Sequence, residues 1–458
     1  MANNVVTYLR EQQSRYVQEL TEVLRIPSVS TDPNKKGDIA RTAEWMRARL
    51  ARAGCTKVEI HATEKHPVVY GEWLGAPGKP TLLVYGHYDV QPPDPLEKWA
   101  TPPFEPTIRD GKIFARGASD DKGQVLIHVH ALEAHLKTSG TCPVNVKFLI
   151  EGEEEIGSPS LVPYVDKHKE LLACDAVVVS DTEMFDKEVP SITYGLRGLS
   201  YIQVDVFGTK SDLHSGTFGG SVINPAMALA WILAKLKDEK GKVKIPGFYD
   251  KVVKLTAKER AAFKTLPHSD ARYKKELGAP ALFGEAGFTT LERIWARPTL
   301  EVNGLWGGFT GEGAKTVIPA EAHAKISMRL VPRQKPAEIA AKAAKYIKKI
   351  APKAVKVEVQ YLHGGDGWLA PTDHPALKAA GRAIQASFGK APVFIREGGS
   401  IPIVGEFSKK LKVPCVLLGI GLKDDNLHAP NEKLDLDNFY KGNEAAALLM
   451  QELAAEMT

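Results

Sequence analysis

Histidine and carboxylate residues gather in five short segments of the sequence. They occupy 86–90, 116–123, 151–158, 180–181 and 427–432, and four of these segments follow an apolar, strand-like run. In open α/β sheets, sites form beyond the carboxyl ends of the strands. Mixed nitrogen and oxygen ligands suit zinc, manganese or cobalt. Two histidines and three carboxylates would serve two ions about 3.5–4 Å apart, so the pattern indicates hydrolysis of an amide or ester.

Each segment taken alone has an ordinary structural explanation. His87 and Asp89 could be a loop histidine beside an acid, and Asp120 with Asp121 could cap the helix that follows them. The acids at 151–155 could form a solvated loop. However, they repel one another at the end of a buried strand, and a cation would relieve that repulsion. The five segments together therefore favour a metal site, with a spare glutamate available as a general base.

Apolar strand-like runs alternate with helical spacing in the first third of the chain. The runs lie at 68–73, 81–85, 144–150 and 176–179, and helical spacing at 5–24, 39–50 and 123–136. This pattern predicts an α/β domain with a buried, mostly parallel sheet and helices on both faces. Strict alternation at 202–206 and 322–330 predicts a separate α+β domain with an antiparallel sheet. We therefore predict a catalytic domain at 1–194 and 366–458, interrupted by a second domain at 195–365.

The composition excludes several classes of protein. Apolar residues make up 43% and charged residues 25%, and the formal net charge is +5, which predicts no nucleic-acid partner. No run approaches the 18 or so apolar residues that cross a bilayer, and the first residues do not read as a secretory signal. The four cysteines lie far apart, as expected for reduced thiols in a cytoplasmic protein.

The segments resemble a known family, the co-catalytic di-metal peptidases that include aminoacylase, acetylornithine deacetylase, glutamate carboxypeptidase of the carboxypeptidase G type and cytosolic dipeptidases. The resemblance is greatest to the cytosolic nonspecific dipeptidase and carnosine dipeptidase branch, and it spans nearly the whole chain. The matching segments are Gly-His-Tyr-Asp-Val-Gln-Pro-Pro at 86–93, Arg-Gly-Ala-Ser-Asp-Asp-Lys-Gly at 116–123, Glu-Gly-Glu-Glu-Glu-Ile-Gly-Ser at 151–158, Asp-Leu-His-Ser-Gly at 212–216, Gly-Ala-Lys-Thr-Val-Ile-Pro at 313–319 and Arg-Glu-Gly-Gly-Ser-Ile-Pro at 396–402.

The resemblance implies two divalent ions per subunit, with Zn²⁺ expected and Mn²⁺ or Co²⁺ as alternatives. The implied ligands are His87, Asp120 and Asp181 for one ion and Asp120, Glu155 and His428 for the other. Asp89 would hydrogen-bond His87 and fix its tautomer. The family pattern also implies a cis peptide bond between Asp120 and Asp121.

The resemblance further implies that Glu154 is the general base, which takes a proton from the attacking water and later passes it to the leaving amine. This assignment comes from aligning Gly152 and the pair Gly157 and Ser158. Glu153 then occupies a position where relatives need no acid, and a shift of one residue would reassign both glutamate roles.

The middle domain matches the lid and dimerisation domain of the family. The resemblance implies a homodimer in which His214 reaches the active site of the partner subunit and stabilises the tetrahedral oxyanion. Arg329, on the wet face of its strand, could clamp a substrate carboxylate. Thr316 and Ser400 match positions that contact substrate.

We therefore expect metal-dependent hydrolysis of dipeptides or short peptides, without a membrane or nucleic-acid partner. One alternative is a deacylase of N-acyl amino acids, like acetylornithine deacetylase or succinyl-diaminopimelate desuccinylase. A carboxypeptidase acting on longer peptides is another. A metal-binding protein without activity is disfavoured, because Glu154 and every implied ligand are present.

Overall fold

The computed structural model of the chain describes residues 2–399 and 401–457. Ser400, expected to contact substrate, lies outside the described residues. The helices are α1 Ala2–Glu11, α2 Gln13–Leu24, α3 Lys36–Ala53, α4 Lys122–Ser139, α5 Leu161–Lys167, α6 Ser215–Phe218, α7 Pro225–Ala234, α8 Ala257–Thr265, α9 Asp270–Glu276, α10 Thr290–Ala296, α11 Pro336–Ile350, α12 Pro375–Phe388, α13 Pro402–Lys410 and α14 Leu436–Glu456.

The strands of the described chain run in the following order. They are β1 Lys57–His61, β2 Val68–Trp73, β3 Thr81–His87, β4 Thr107–Arg109, β5 Lys112–Phe114, β6 Asn145–Glu151, β7 Ala176–Val179, β8 Ser191–Leu196, β9 Gly198–Phe207, β10 Leu213–His214, β11 Thr299–Gly307, β12 Val317–Ile318, β13 Glu321–Leu330, β14 Lys356–Gly365, β15 Trp368–Leu369, β16 Val393–Glu397, β17 Cys415–Leu417 and β18 Lys433–Asp435.

The chain divides into two compact units. The first comprises Met1–Tyr194, Ala370–Ile395 and Ile403–Thr458, and the second comprises Gly195–Leu369 and Arg396–Pro402. The short segment Arg396–Pro402 groups with the second unit, although the sequence pattern placed it within 366–458. No helix of the described residues is both long enough and apolar enough to cross a bilayer.

The first unit is built on a mixed sheet in the order β1-β2-β6-β3-β7-β17-β8. The parallel pairs are β6 with β3, β3 with β7 and β7 with β17, and the outer pairs are antiparallel. Strands β6 and β7 are buried along their whole length, as continuous apolar runs in the middle of a covered sheet should be. Helix α3 ends at Gly54, whose φ of +106° suits glycine.

The second unit contains a four-stranded antiparallel sheet in the order β11-β13-β9-β14. Its buried face carries alternate residues of β9 and β13, among them Ile202, Val204, Ile326 and Met328. Helices α7 and α11 pack against this sheet. The predicted fold class is therefore confirmed: an α/β unit interrupted by a unit with an antiparallel sheet.

Candidate metal centre

Three central strands end side by side at one edge of the first unit's sheet. In the parallel register His87 of β3 lies opposite Glu151 of β6, and Tyr85 of β3 lies opposite Val179 of β7. The segments that follow these strands therefore start at the same edge, and Asp181 follows β7 by two residues. This is why residues far apart in sequence come together here.

Five of the predicted site residues form two groups that could each hold a metal ion. His87, Asp120 and Asp181 form one group, and Asp120, Glu155 and His428 form the other, with the candidate ligand atoms of each group within 4.8 Å of one another. Asp120 belongs to both. Its Oδ1 lies 3.0 Å from His87 Nε2, and its Oδ2 lies 2.9 Å from His428 Nε2. A single carboxylate thus offers one oxygen to each group.

The His87 ring is oriented for ligation. Its Nδ1 lies 3.0 Å from the main-chain oxygen of Asp89, which places the proton on Nδ1 and the lone pair on Nε2. Nε2 is fully buried and makes no hydrogen bond to any residue that the structure describes, although Asp120 and Asp181 lie near it. A buried acceptor without a donor, facing two carboxylates, fits a divalent cation.

Asp89 differs from expectation in how it acts. Its carboxylate Oδ1 lies 3.4 Å from His87 Nδ1, farther than its own carbonyl oxygen. The carboxylate instead accepts hydrogen bonds from the amides of Glu154 and Glu155, at 3.2 and 3.1 Å. Asp89 therefore orients His87 through its backbone and holds the glutamate turn through its side chain.

The three consecutive glutamates have different surroundings. Glu153 is buried, and its carboxylate accepts from the amides of His66 and Ser160 at 2.7 and 2.9 Å. Glu155 Oε2 accepts from Gln91 Nε2 at 2.8 Å and lies 3.4 Å from His428 Nε2. Within residues 2–399 and 401–457, no hydrogen bond reaches the carboxylate of Glu154.

The crowding of acids at this edge shows in their pKa values. Burial raises the pKa of Glu154 to about 7 and that of Glu155 to about 10; Asp120 adds to each rise and His87 opposes it. Burial also raises the pKa of Asp181 well above its usual range. Burial acts in the same direction on Asp120, but its contacts with His428 and His87 hold the pKa of that carboxyl below its usual range. Divalent cations would offset such a concentration of buried carboxylates.

Asp121 does not cap the helix that follows it. Its side chain makes no capping hydrogen bond to α4, and its Oδ2 accepts from the amide of His87 at 3.2 Å. The peptide bond between Asp120 and Asp121 is cis, as the family pattern implies.

Two residues at the centre escaped the sequence reasoning. Gln91 supports Glu155, and Glu432 accepts hydrogen bonds from several groups of the loop that carries Asp120. Gln91 lies in the segment 86–93 as an ordinary polar residue, and Glu432 is one of the carboxylates of the segment 427–432. The available signal was position: Gln91 follows the segment 86–90, and Glu432 lies shortly after His428.

The lid residues expected to act on substrate belong to the second unit. His214 Nδ1 accepts from the amides of Gly216 and Thr217 at 3.0 and 3.2 Å, so the ring proton lies on Nε2. That Nε2 is 3.5 Å from Thr316 Oγ1. Arg329 is half-buried on β13, and its burial lowers the pKa of the guanidinium.

Comparison with known proteins identifies the family. The model of peptidase family M20/M25/M40 matches residues 83–452. The chain is 34% identical to the Cys-Gly metallodipeptidase dug1 of Schizosaccharomyces pombe, over 97% of each chain. Human carnosine dipeptidase 1 has a similar structure, with a TM-score of 0.85 and 34% identity over 99% of each chain.

A metallo-carboxypeptidase from Sulfolobus solfataricus is equally similar, with a TM-score of 0.86 and 34% identity over 96% of this chain and 99% of that one. These matches cover the catalytic segments and both units. They agree with the family that the sequence motifs indicated: the chain belongs to peptidase family M20/M25/M40.

Proposed function

We propose that this protein is a metallodipeptidase that hydrolyses the amide bond of dipeptides or short peptides with two divalent cations. The observation that carries the proposal is the pair of ligand groups sharing Asp120, next to a glutamate that belongs to neither group. The full-length similarity to a metallodipeptidase and to carnosine dipeptidase 1 supports the substrate class.

One cation would be held by His87, Asp120 and Asp181, and the other by Asp120, Glu155 and His428. Zn²⁺ is our first choice, with Mn²⁺ or Co²⁺ as alternatives, because nitrogen and oxygen ligands suit all three. Such a pair, when bound, polarises the scissile carbonyl and acidifies the attacking water.

Glu154 would act as the general base. Its carboxylate stands beside both ligand groups, yet the described residues give it no hydrogen-bond donor, so it is available to take a proton at an Oε atom. It would later give this proton to the leaving amine. The amide contacts of Asp89 hold the turn that presents this carboxylate.

Four residues would bind the substrate: His214, Arg329, Thr316 and Ser400. The amides that donate to His214 Nδ1 require a proton on Nε2, so His214 can donate a hydrogen bond to a developing oxyanion. Arg329 would pair with the substrate carboxylate, a charge-assisted contact that a guanidinium makes in bidentate geometry.

The second unit carries an exposed apolar surface that supports a homodimer. On α7, Met227 and Trp231 are 50% and 48% exposed, and on β11, Val302, Leu305 and Trp306 are 44%, 61% and 42% exposed. Within the described chain, β11 pairs only with β13, so its other edge is available. Exposed apolar side chains, some of them on a strand with an unpaired edge, are suited to contact with a second copy of the same unit.

Subunit mixing tests whether His214 acts across that interface. Glu154→Gln and His214→Ala homodimers should each be inactive. A mixed dimer would contain one site with both residues intact only if His214 reaches the partner's site. Recovered activity after mixing and re-equilibration supports this arrangement, and its absence in proven heterodimers contradicts it.

The substrate class is tested by stripping the protein with a chelator and adding back Zn²⁺ or Mn²⁺. Turnover of free-amine dipeptides is then compared with that of N-acetyl and N-succinyl amino acids and of longer peptides. Faster cleavage of dipeptides supports the proposal. Preference for blocked amino acids would make the protein a deacylase.

Carboxypeptidase activity is the second candidate, because the Sulfolobus solfataricus metallo-carboxypeptidase is as similar as the dipeptidases. Efficient removal of the last residue from tetrapeptides and longer chains would favour it over the dipeptidase proposal.

We also propose a cytoplasmic location. All four cysteines, Cys55, Cys142, Cys174 and Cys415, are free thiols in the structure, which suits a reducing compartment. Fractionation of source cells with a cytoplasmic marker enzyme tests this, and recovery in a secreted or membrane fraction would contradict it.

A further inference from the structure

We propose that Glu432 is a positioning residue of the metal centre, which sets the affinity for divalent cations by holding together the loops that carry Asp120 and His428. This inference rests on the metal centre of the proposed function but not on the choice of substrate. Glu432 is fully buried and belongs to neither ligand group.

The carboxylate of Glu432 accepts four hydrogen bonds, all from one loop. Oε1 accepts from the amides of Ser119 and Asp120 at 3.0 and 3.1 Å. Oε2 accepts from the amide of Gly117 at 2.9 Å and from Arg116 Nη1 at 2.7 Å. One of these bonds is made by the backbone of Asp120 itself, the residue shared by the two ligand groups. Any shift of Glu432 therefore moves the backbone of the bridging ligand.

Glu432 also closes the loop that presents His428. The φ angles of Asn426, His428 and Asn431 are +58°, +59° and +64°, a left-handed region that few residues other than glycine adopt and that Asn and His adopt more often than most. The side chain of Asn431 helps to hold this loop. It accepts a hydrogen bond from the amide of Ala100 at 2.8 Å and donates one to the carbonyl oxygen of Lys98 at 2.9 Å. Glu432, the next residue, joins this loop to the loop of Asp120.

A second buried acid reinforces the junction but does not reach the ligand itself. Asp425 Oδ2 accepts from Ser119 Oγ at 2.9 Å and from the amide of Leu422 at 2.8 Å, and its Oδ1 pairs with Lys433 Nζ at 2.6 Å. Of these two acids, only Glu432 accepts a hydrogen bond from the amide of Asp120.

Substituting Gln for Glu432 isolates this role. In either orientation of the amide group, its NH₂ would face two donors: the amides of Ser119 and Asp120, or Gly117 and Arg116. The Asp120 loop must then shift. Residues that orient metal ligands typically change metal affinity by about 10- to 100-fold when mutated, and we expect a loss of that size.

The matched control is Glu133→Gln. Glu133 is also a buried carboxylate of the first unit paired with arginine, since Arg49 Nη2 lies 2.6 Å away, but it belongs to neither ligand group. Metal-free wild type, Glu432→Gln and Glu133→Gln are titrated with Zn²⁺ against a competing chelator, and their unfolding temperatures are measured without metal. Both variants should lose stability, but only Glu432→Gln should bind Zn²⁺ about 10- to 100-fold more weakly.

Wild-type Zn²⁺ affinity in folded Glu432→Gln, or an equal loss of affinity in Glu133→Gln, would overturn the inference. Should Glu432→Gln not fold, Glu432→Asp is titrated instead, because it keeps the charge but is too short to reach all four donors. Wild-type affinity there would have the same meaning. Since the titration uses Zn²⁺ alone, it stands apart from the substrate panel, which can fail while this result holds.

Discussion

Replacing each of the consecutive glutamates 153–155 by Gln should impair a different property of the protein: turnover, metal binding or stability. Glu154 lies outside both ligand groups and would move the proton, so Glu154→Gln should keep two metal ions. A positioned general base contributes about 10²- to 10⁴-fold to turnover. We therefore expect kcat to fall by that factor, which corresponds to about 2.7–5.4 kcal/mol in the activation barrier.

The neighbouring substitutions provide matched controls. Glu155 belongs to the group with His428, so Glu155→Gln should lower metal content as well as turnover. Glu153 accepts from the amides of His66 and Ser160, so Glu153→Gln would leave a buried donor without its partner. That should cost about 1–3 kcal/mol of folding free energy, with metal content and kcat near wild type.

The assay combines three measurements on each variant: metal content after dialysis, kcat on a dipeptide at saturating Zn²⁺, and the free energy of unfolding in urea. Retained turnover in Glu154→Gln would refute the assignment of the base. Loss of turnover in Glu153→Gln, with two metal ions still bound, would show that the alignment of this turn is wrong by one residue.

Further substitutions test the other parts of the proposal. Asp120→Asn should weaken the binding of both metal ions, whereas Asp181→Asn should weaken the binding of one. The metal content after dialysis measures this difference. An equal loss of metal from the two variants would contradict a shared Asp120. Arg329→Met should raise KM for dipeptides with a free C-terminal carboxylate by about 10- to 100-fold, because a hydrogen bond to a charged group contributes about 1.5–3 kcal/mol. The KM for dipeptides with an amidated C-terminus should not change. An equal rise in KM for both kinds of dipeptide would show that Arg329 does not bind the carboxylate. Burial lowers the pKa of His130 to about 4 from 6.5, so the unfolded chain takes up the extra proton as the pH falls below 6.5. His130 should thus contribute about 2 kcal/mol to the loss of stability between pH 7 and pH 5, beside the loss from His128, whose pKa burial lowers to about 3. His130→Gln should reduce the total loss by that amount in urea unfolding with chelator present, and parallel curves for the two proteins would contradict the reasoning.

The pattern of the sequence was enough for the fold class. Strands β2 and β7 have the bounds that the apolar runs indicated, because burial leaves a local mark in the sequence. The direction of each strand pair is marked less clearly. Continuous apolar runs indicated a mostly parallel sheet, but β2 pairs antiparallel with β6, which lies far along the chain, so the mixed character of the sheet appeared only in the structure.

The same limit applies to the candidate site. Residues that could bind a metal ion were visible as histidines and carboxylates after strands, and the structure places five of them in two groups. The supporting contacts were not visible, since Asp89 and Glu432 bond to backbone amides, which every residue type offers. A sequence can therefore show which side chains carry chemistry more readily than which side chains hold them.

Hydrogen-bond donors distinguish the acids that support this centre from those that can react. Glu432 has four donors, and Asp89 and Glu153 accept hydrogen bonds from backbone amides, so each of these carboxylates is held in its place. Glu154 receives no donor among the described residues. The turn at Glu154–Ile156, which ends at Gly157 with φ of +86°, points adjacent side chains in different directions. Under the proposed function, three identical residues would thus have three roles, because the backbone decides which carboxylate meets an amide, which lies near a histidine and which remains to accept a proton.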